Sequence, residues 1–127
     1  MSTVPLSPEL AEAVASLEEA FPGRVHIEDP DSGGVTIRID DVPLSARWTP
    51  RVGQLWLVLP YHFPDAPIYP YYVFGAVPSA EPVPGLQAVG WRGTMTTQLS
   101  LRHNAWDPSR DSAIGCVLQA QEYLERI

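Results

Sequence analysis

One short stretch gathers several kinds of side chain able to do chemistry. Thr96, Thr97 and Ser100 supply hydroxyls, and Arg102, His103 and Asn104 follow directly. A hydroxyl ionises far above neutral pH, so as a nucleophile it needs a base or strong stabilisation of the developing oxyanion. An imidazole accepts a proton near neutral pH, which makes His103 the natural base; a guanidinium or amide, Arg102 or Asn104, suits the oxyanion. The alternative reading of the same residues is a Ser/Thr-rich loop whose hydroxyls satisfy backbone groups at turns. Elsewhere the chemistry is sparse. The single cysteine, Cys116, cannot form an internal disulfide and reads as a small buried apolar residue on a helix flank. With three scattered histidines there is no zinc-ligand spacing. His26 falls on the outward face of a strand, and His62 lies in a proline-rich crossing where packing is its expected role. No metal or cofactor is called for.

The elements that position these residues follow from hydrophobic periodicity. The chain has 127 residues, enough for one domain with a real core over about 8–125. Ser7 and Pro8 open a helix whose apolar residues Leu10, Val14, Leu17 and Phe21 recur at helical spacing, and Pro22-Gly23 stops it. Val25 and Ile27 alternate, as do Val35, Ile37 and Ile39, with Thr36 and Arg38 outward. Residues 54–59 form a nearly continuous apolar run that predicts a central strand buried on both faces. The proline density from Pro60 to Pro84 forbids helix, yet its aromatic residues predict an ordered crossing over the sheet with a short strand at 71–74. Residues 86–103 have no clean period and read as irregular structure with room for one extended piece, Trp91 either marking a binding surface or, by preference, pinning the loop to the sheet. Asp107-Pro108 predicts the start of a last helix, with Ile114, Val117, Leu118 and Leu124 as its apolar face and Ala113, Cys116 and Ala120 beside it. The result is an α+β domain: helix 8–21, strands near 24–28, 35–40, 54–59 and 71–74 in an antiparallel meander, an irregular segment, and helix 109–125.

Charge and composition exclude several functions. Fifteen acidic against eight basic residues give a net charge of −7, so no basic stripe invites nucleic acid or an anionic membrane. No apolar run reaches the ~18 residues of a membrane span, and the start lacks a basic-then-apolar leader, which predicts a cytosolic protein. All eight basic residues are arginine. A biased genome explains that, as does a need to keep reactive amines off the surface.

Two motifs resemble the ubiquitin-conjugating enzyme fold. Phe63-Pro64-Asp65, Pro67, Pro70 and Val73-Phe74 are similar to that family's Phe-Pro, Tyr-Pro, Pro-Pro, Val, Phe signature, with Ala66 in place of its tyrosine and Tyr71 in place of one proline. Trp106-Asp107-Pro108 before an amphipathic helix resembles its Trp-x-Pro. The likeness covers roughly residues 8–124 and implies that family's N-terminal helix, four-stranded antiparallel meander and later helix. The family's His-Pro-Asn tripeptide and catalytic cysteine are absent; Gln98 or Thr96 stands in the cysteine's column, and Cys116 lies beyond Trp106. Bacterial members of the superfamily, which accompany an activating enzyme and a ubiquitin-like protein, carry a Ser-Arg-His segment before the tryptophan. Ser100-Leu101-Arg102-His103 resembles it with one inserted residue. The likeness implies Ser100 as acceptor of an oxyester, with His103 or Arg102 as its supporting shell; by their chemistry Thr96 and Thr97 are the alternative acceptors, and Asn104 stands with Arg102 as a candidate for the oxyanion. The implied partners are an activating enzyme, a ubiquitin-like protein and a target protein. The four glutamates of the first helix, Glu9, Glu12, Glu18 and Glu19, offer a dock for a basic face of the activating enzyme. The competing implication is an inactive binding module, like the RWD domains of the same fold.

Overall fold

Ser7 caps the first helix as its type demands: its Oγ accepts the Leu10 N–H at 3.2 Å, and α1 runs Pro8–Ala20 with proline at its first turn. The structure, a computed structural model, describes residues 7–31, 34–60, 62–63, 65, 68–79, 85–103, 106–109 and 111–127, with the backbone alone at Asp29, Pro30 and Asp31. After α1 come β1 (Val25–Asp31), β2 (Gly34–Pro43), β3 (Trp48–Thr49), β4 (Val52–Leu59), β5 (Tyr71–Phe74), β6 (Val77–Pro78), β7 (Leu86–Trp91), β8 (Thr94–Leu99) and α2 (Ala113–Arg126). The main sheet has the order β1-β2-β4-β5-β8-β7 with antiparallel pairing throughout; β3 and β6 form a small separate pair. No helix among the described residues is long and apolar enough to cross a membrane.

The α+β class and both helices match the sequence reading, but the sheet has six strands where four were expected. Residues 86–99, read as irregular with room for one extended piece, form a two-stranded β-hairpin that joins β5 through β8. Its two-residue turn is Arg92-Gly93, with φ of 53° and 77°. Both signs suit a primed turn, whose left-handed positions match the twist of the strands. Asparagine or aspartate usually announces such a turn, and arginine hides it.

One face of the sheet carries the core. Val35, Ile37, Ile39, Leu55, Leu57, Leu59, Tyr71 and Leu99 are buried there with Leu10 and Leu17 of α1 and Val117 and Leu124 of α2. Because helices cover this face only, β4 alternates: Leu55, Leu57 and Leu59 are buried, Trp56 and Val58 only partly, which corrects the two-faced burial expected for 54–59. Ile27 is likewise 50% exposed although it sits opposite the fully buried Ile37, because β1 is an edge strand with a neighbour on one side alone. Trp48 is fully inside. On the other face Trp91 lies flat on Tyr72, centroids 3.9 Å apart and planes 7° from parallel, and meets the edge of Trp56. It pins the hairpin to the sheet.

The last helix starts later than expected. Asp107 Oδ1 accepts from the Ser109 N–H and hydroxyl at 3.0 and 2.7 Å, while Asp111 Oδ2 accepts the Asp107 N–H at 2.8 Å. These local bonds compete with helix and hold a turn. Ser112 then caps α2 through the Gly115 N–H at 3.1 Å. Counted from Ala113, the buried stripe is Ala113, Cys116, Val117, Ala120 and Leu124; Leu118, expected inside, is 51% exposed.

Candidate functional site

Ser100 follows β8 directly. Its N–H bonds to the Gly85 carbonyl at 2.8 Å, which anchors it beside the start of β7. Its half-buried side chain accepts an N–H from Gln98 Nε2 at 3.1 Å. The two alternative hydroxyls are less presented. Thr96 is buried, and its Oγ1 donates to the Val73 carbonyl at 2.7 Å; Thr97 is buried on the core side of β8. Arg102 is exposed and lays its guanidinium 4.4 Å from the Tyr69 ring centroid. Asn104 lies outside the described residues.

His103 is engaged elsewhere. Nδ1–H donates to Gln119 Oε1 at 2.7 Å, and an amide oxygen can only accept, so Nε2 is left as the acceptor for the Tyr71 hydroxyl. The imidazole thus ties β5 to α2, and neither ring nitrogen is turned to Ser100. Tyr71 is fully buried, and that burial first, with Cys116 beside it, holds its phenol far above the usual range. Burial also pushes the Cys116 thiol up, against the nearby Ile68 backbone and Tyr71 hydroxyl, which act the other way. Cys116 is therefore an inert core thiol, as its position on the helix implied.

His103, Trp106, Asp111, Ser112, Cys116 and Gln119 line a cleft of about 190 Å³ between the segment after β8 and α2. The Trp106 ring stands 6.0 Å from Phe63 and 6.4 Å from His103, so the tryptophan before α2 closes the proline crossing against the helix. A second cleft, of about 230 Å³, separates α1 from the turn before α2, with Glu9 and Glu12 at its rim and Phe63 and Ile114 among its lining. His26 is half-exposed and 3.0 Å from Asp40, beside Arg38, which also pairs with Glu28. His62 is exposed. No three histidine, cysteine or acidic side chains among the described residues are grouped to hold a metal ion.

Gln119 was not singled out in the sequence, and Gln98 and Tyr71 were named there for their columns in the resemblance and not for these contacts. Tyr71 shares the inward phase of Val73, which signals burial but names no partner. Comparison with protein-family models, with curated proteins and with solved structures finds no match for this chain.

Proposed function

We propose that the chain is a ubiquitin-conjugating-enzyme-like carrier that receives the C-terminus of a ubiquitin-like protein from an activating enzyme and holds it as an oxyester on Ser100. The state of that hydroxyl carries the reading. Of Thr96, Thr97 and Ser100, Ser100 is the partly exposed one, it is oriented by the Gln98 amide, and its own proton has no acceptor among the described residues. The element order, with a proline crossing and Trp106 ahead of the last helix, supports it.

The step is an acyl transfer. Ser100 Oγ bonds to the acyl carbon of the adenylate, the bond from that carbon to the phosphate oxygen breaks, and AMP leaves. The hydroxyl proton goes to the departing phosphate or to water. Gln98 directs an N–H at the reacting oxygen, and Arg102 adds positive charge two residues away. His103 is then a positioning residue. It holds the segment to β5 and α2, and the activated adenylate makes up for the missing base. The partners are the activating enzyme, docked on the acidic α1, and the ubiquitin-like protein.

The engagement of both His103 nitrogens favours a second reading, a non-catalytic docking module of the same fold. One experiment separates the two: incubation with a matching activating enzyme, ATP and the ubiquitin-like protein, followed by a denaturing gel. The carrier gives an adduct that survives reductant and is cleaved by hydroxide; Ser100→Ala gives none, and Ser100→Cys gives a reductant-sensitive one. A wild-type chain that binds its partners but never forms an adduct is the docking module. An adduct on Ser100→Ala that disappears in Thr97→Ala moves the acceptor to Thr97.

A further inference from the structure

The six-stranded sheet ends in two very different edges. The β1 edge is guarded in three ways that discourage pairing. Pro30 has no N–H to offer, the register with β2 shifts between Ile27 and Pro30, and the sequence there, Glu28-Asp29-Pro30-Asp31, is acidic. The β7 edge has none of these. Leu86–Trp91 contains no charge and no proline, its register with β8 is unbroken over all six residues, and from Gly85 to Leu101 the only charged residue is Arg92, at the turn.

The hydrogen-bonding phase of β7 follows from its ends. The Ser100 N–H bonds to the Gly85 carbonyl, so this pair is a bonded one, and pairs alternate along an antiparallel ladder. Gln87, Val89 and Trp91 therefore face β8. Leu86, Ala88 and Gly90 turn their N–H and C=O groups outward, and no hydrogen bond from the described residues reaches them. An apolar surface adjoins this edge. Met95 is 70% exposed, and its sulfur lies 3.8 Å from where a Gly90 Cβ would stand, so the thioether covers the glycine of the edge strand. Ala88, Met95 and the 68%-exposed Val77 line a shallow concavity of about 380 Å³ with Val73 and Thr97.

We propose that this edge pairs with a second copy of the chain, β7 antiparallel to β7, about a two-fold axis through Ala88. A two-fold normal to the sheet keeps the two faces in register, and the outward-facing residues must meet one another. Centring on Ala88 satisfies both conditions: Ala88 opposes Ala88, and Leu86 opposes Gly90, giving about six backbone hydrogen bonds. Met95 of one copy then reaches across Gly90 to Leu86 of the other, and Gln87 opposes Val89. No like charges face each other, which is what defeats such pairing on other strands. The acidic β1 edge is five strand spacings away, about 24 Å, so the net charge of −7 on each copy is screened at ordinary ionic strength. The product is a continuous twelve-stranded sheet with helices on one face.

Sedimentation equilibrium from about 10 µM to 1 mM tests this, a range set by the small area such an edge buries. The mass is expected to rise from 14.0 kDa toward twice that value. Ala88→Lys, which places two cations on the axis, is expected to hold it at 14.0 kDa with an unchanged circular-dichroism spectrum, while Ala88→Val still dimerises. In the wild type the Ala88 and Gly90 amides are expected to exchange slowly at high concentration and fast on dilution. A monomer at every concentration, a dimer indifferent to Ala88→Lys, or Ala88 and Gly90 amides that exchange fast in the dimer overturns the proposal.

Discussion

In the proposed reading Ser100 is an acceptor and His103 a strut. His103→Ala leaves the buried Tyr71 hydroxyl without its imidazole partner, at a cost of about 1–3 kcal/mol in urea unfolding. The rate of adduct formation is expected to change by no more than about threefold; a loss of about 10²–10⁴ in a folded variant makes His103 the general base instead. A second residue-scale consequence concerns alkali. Cys116 and Tyr71 have folded-state pKa values above their ordinary 9.0 and 10.0, so the unfolded chain releases these protons first. Stability from this source is complete below about pH 9 and drains away as pH rises beyond it. Thermal melts from about pH 7 to 11 should show that decline, and Tyr71→Phe and Cys116→Ala should each flatten it. The hydroxyls and the imidazole of this site were legible in the sequence because they lie close together, from Thr96 to His103. Their partners were not, since His103 meets Tyr71 and Gln119 across separations of 32 and 16 residues that no spacing rule encodes.

Elements were legible wherever apolar residues carried the period. Leu10, Val14 and Leu17 announce α1, and Val35, Ile37 and Ile39 announce β2, because one face of each packs into a core. The β7–β8 hairpin escaped notice because threonine and glutamine carry its alternation and most of its surface is exposed. The early start expected for α2 came from reading Asp107-Pro108 as a cap when those side chains stabilise a turn. Two glycines test the turns in opposite ways. Gly93 has φ of 77° and open space around a would-be Cβ, so Gly93→Ala should cost about 1 kcal/mol, all of it backbone conformation. A Cβ on Gly34 would stand 2.3 Å from the Leu59 carbonyl oxygen of the neighbouring strand. Gly34→Ala should therefore separate β2 from β4 and cost about 3 kcal/mol or more in the same denaturant titration.

Across the whole molecule, acidic charge gathers on α1 and the β1–β2 edge while the β7–β8 hairpin stays almost uncharged. That asymmetry underlies both the docking proposed for α1 and the self-pairing proposed for β7. Charge reversal at Glu12 and Glu19, both exposed on α1, should weaken binding to an activating enzyme about tenfold or more at low salt and progressively less as salt is added, by calorimetric titration. It should leave the self-association of the opposite edge unchanged. The two-layer plan also sets the order in which a growing chain can close its core. Val117 and Leu124 of α2 fill the face formed by β2, β4 and β5, and the Leu124 carbonyl accepts the Ser45 N–H at 3.0 Å, yet α2 leaves the ribosome after every strand it covers. At about 5–20 residues per second a nascent chain therefore spends seconds with Leu55, Leu57 and Leu59 paired into a sheet but open to its surroundings. For that interval the open apolar face is the kind of surface that chaperones bind.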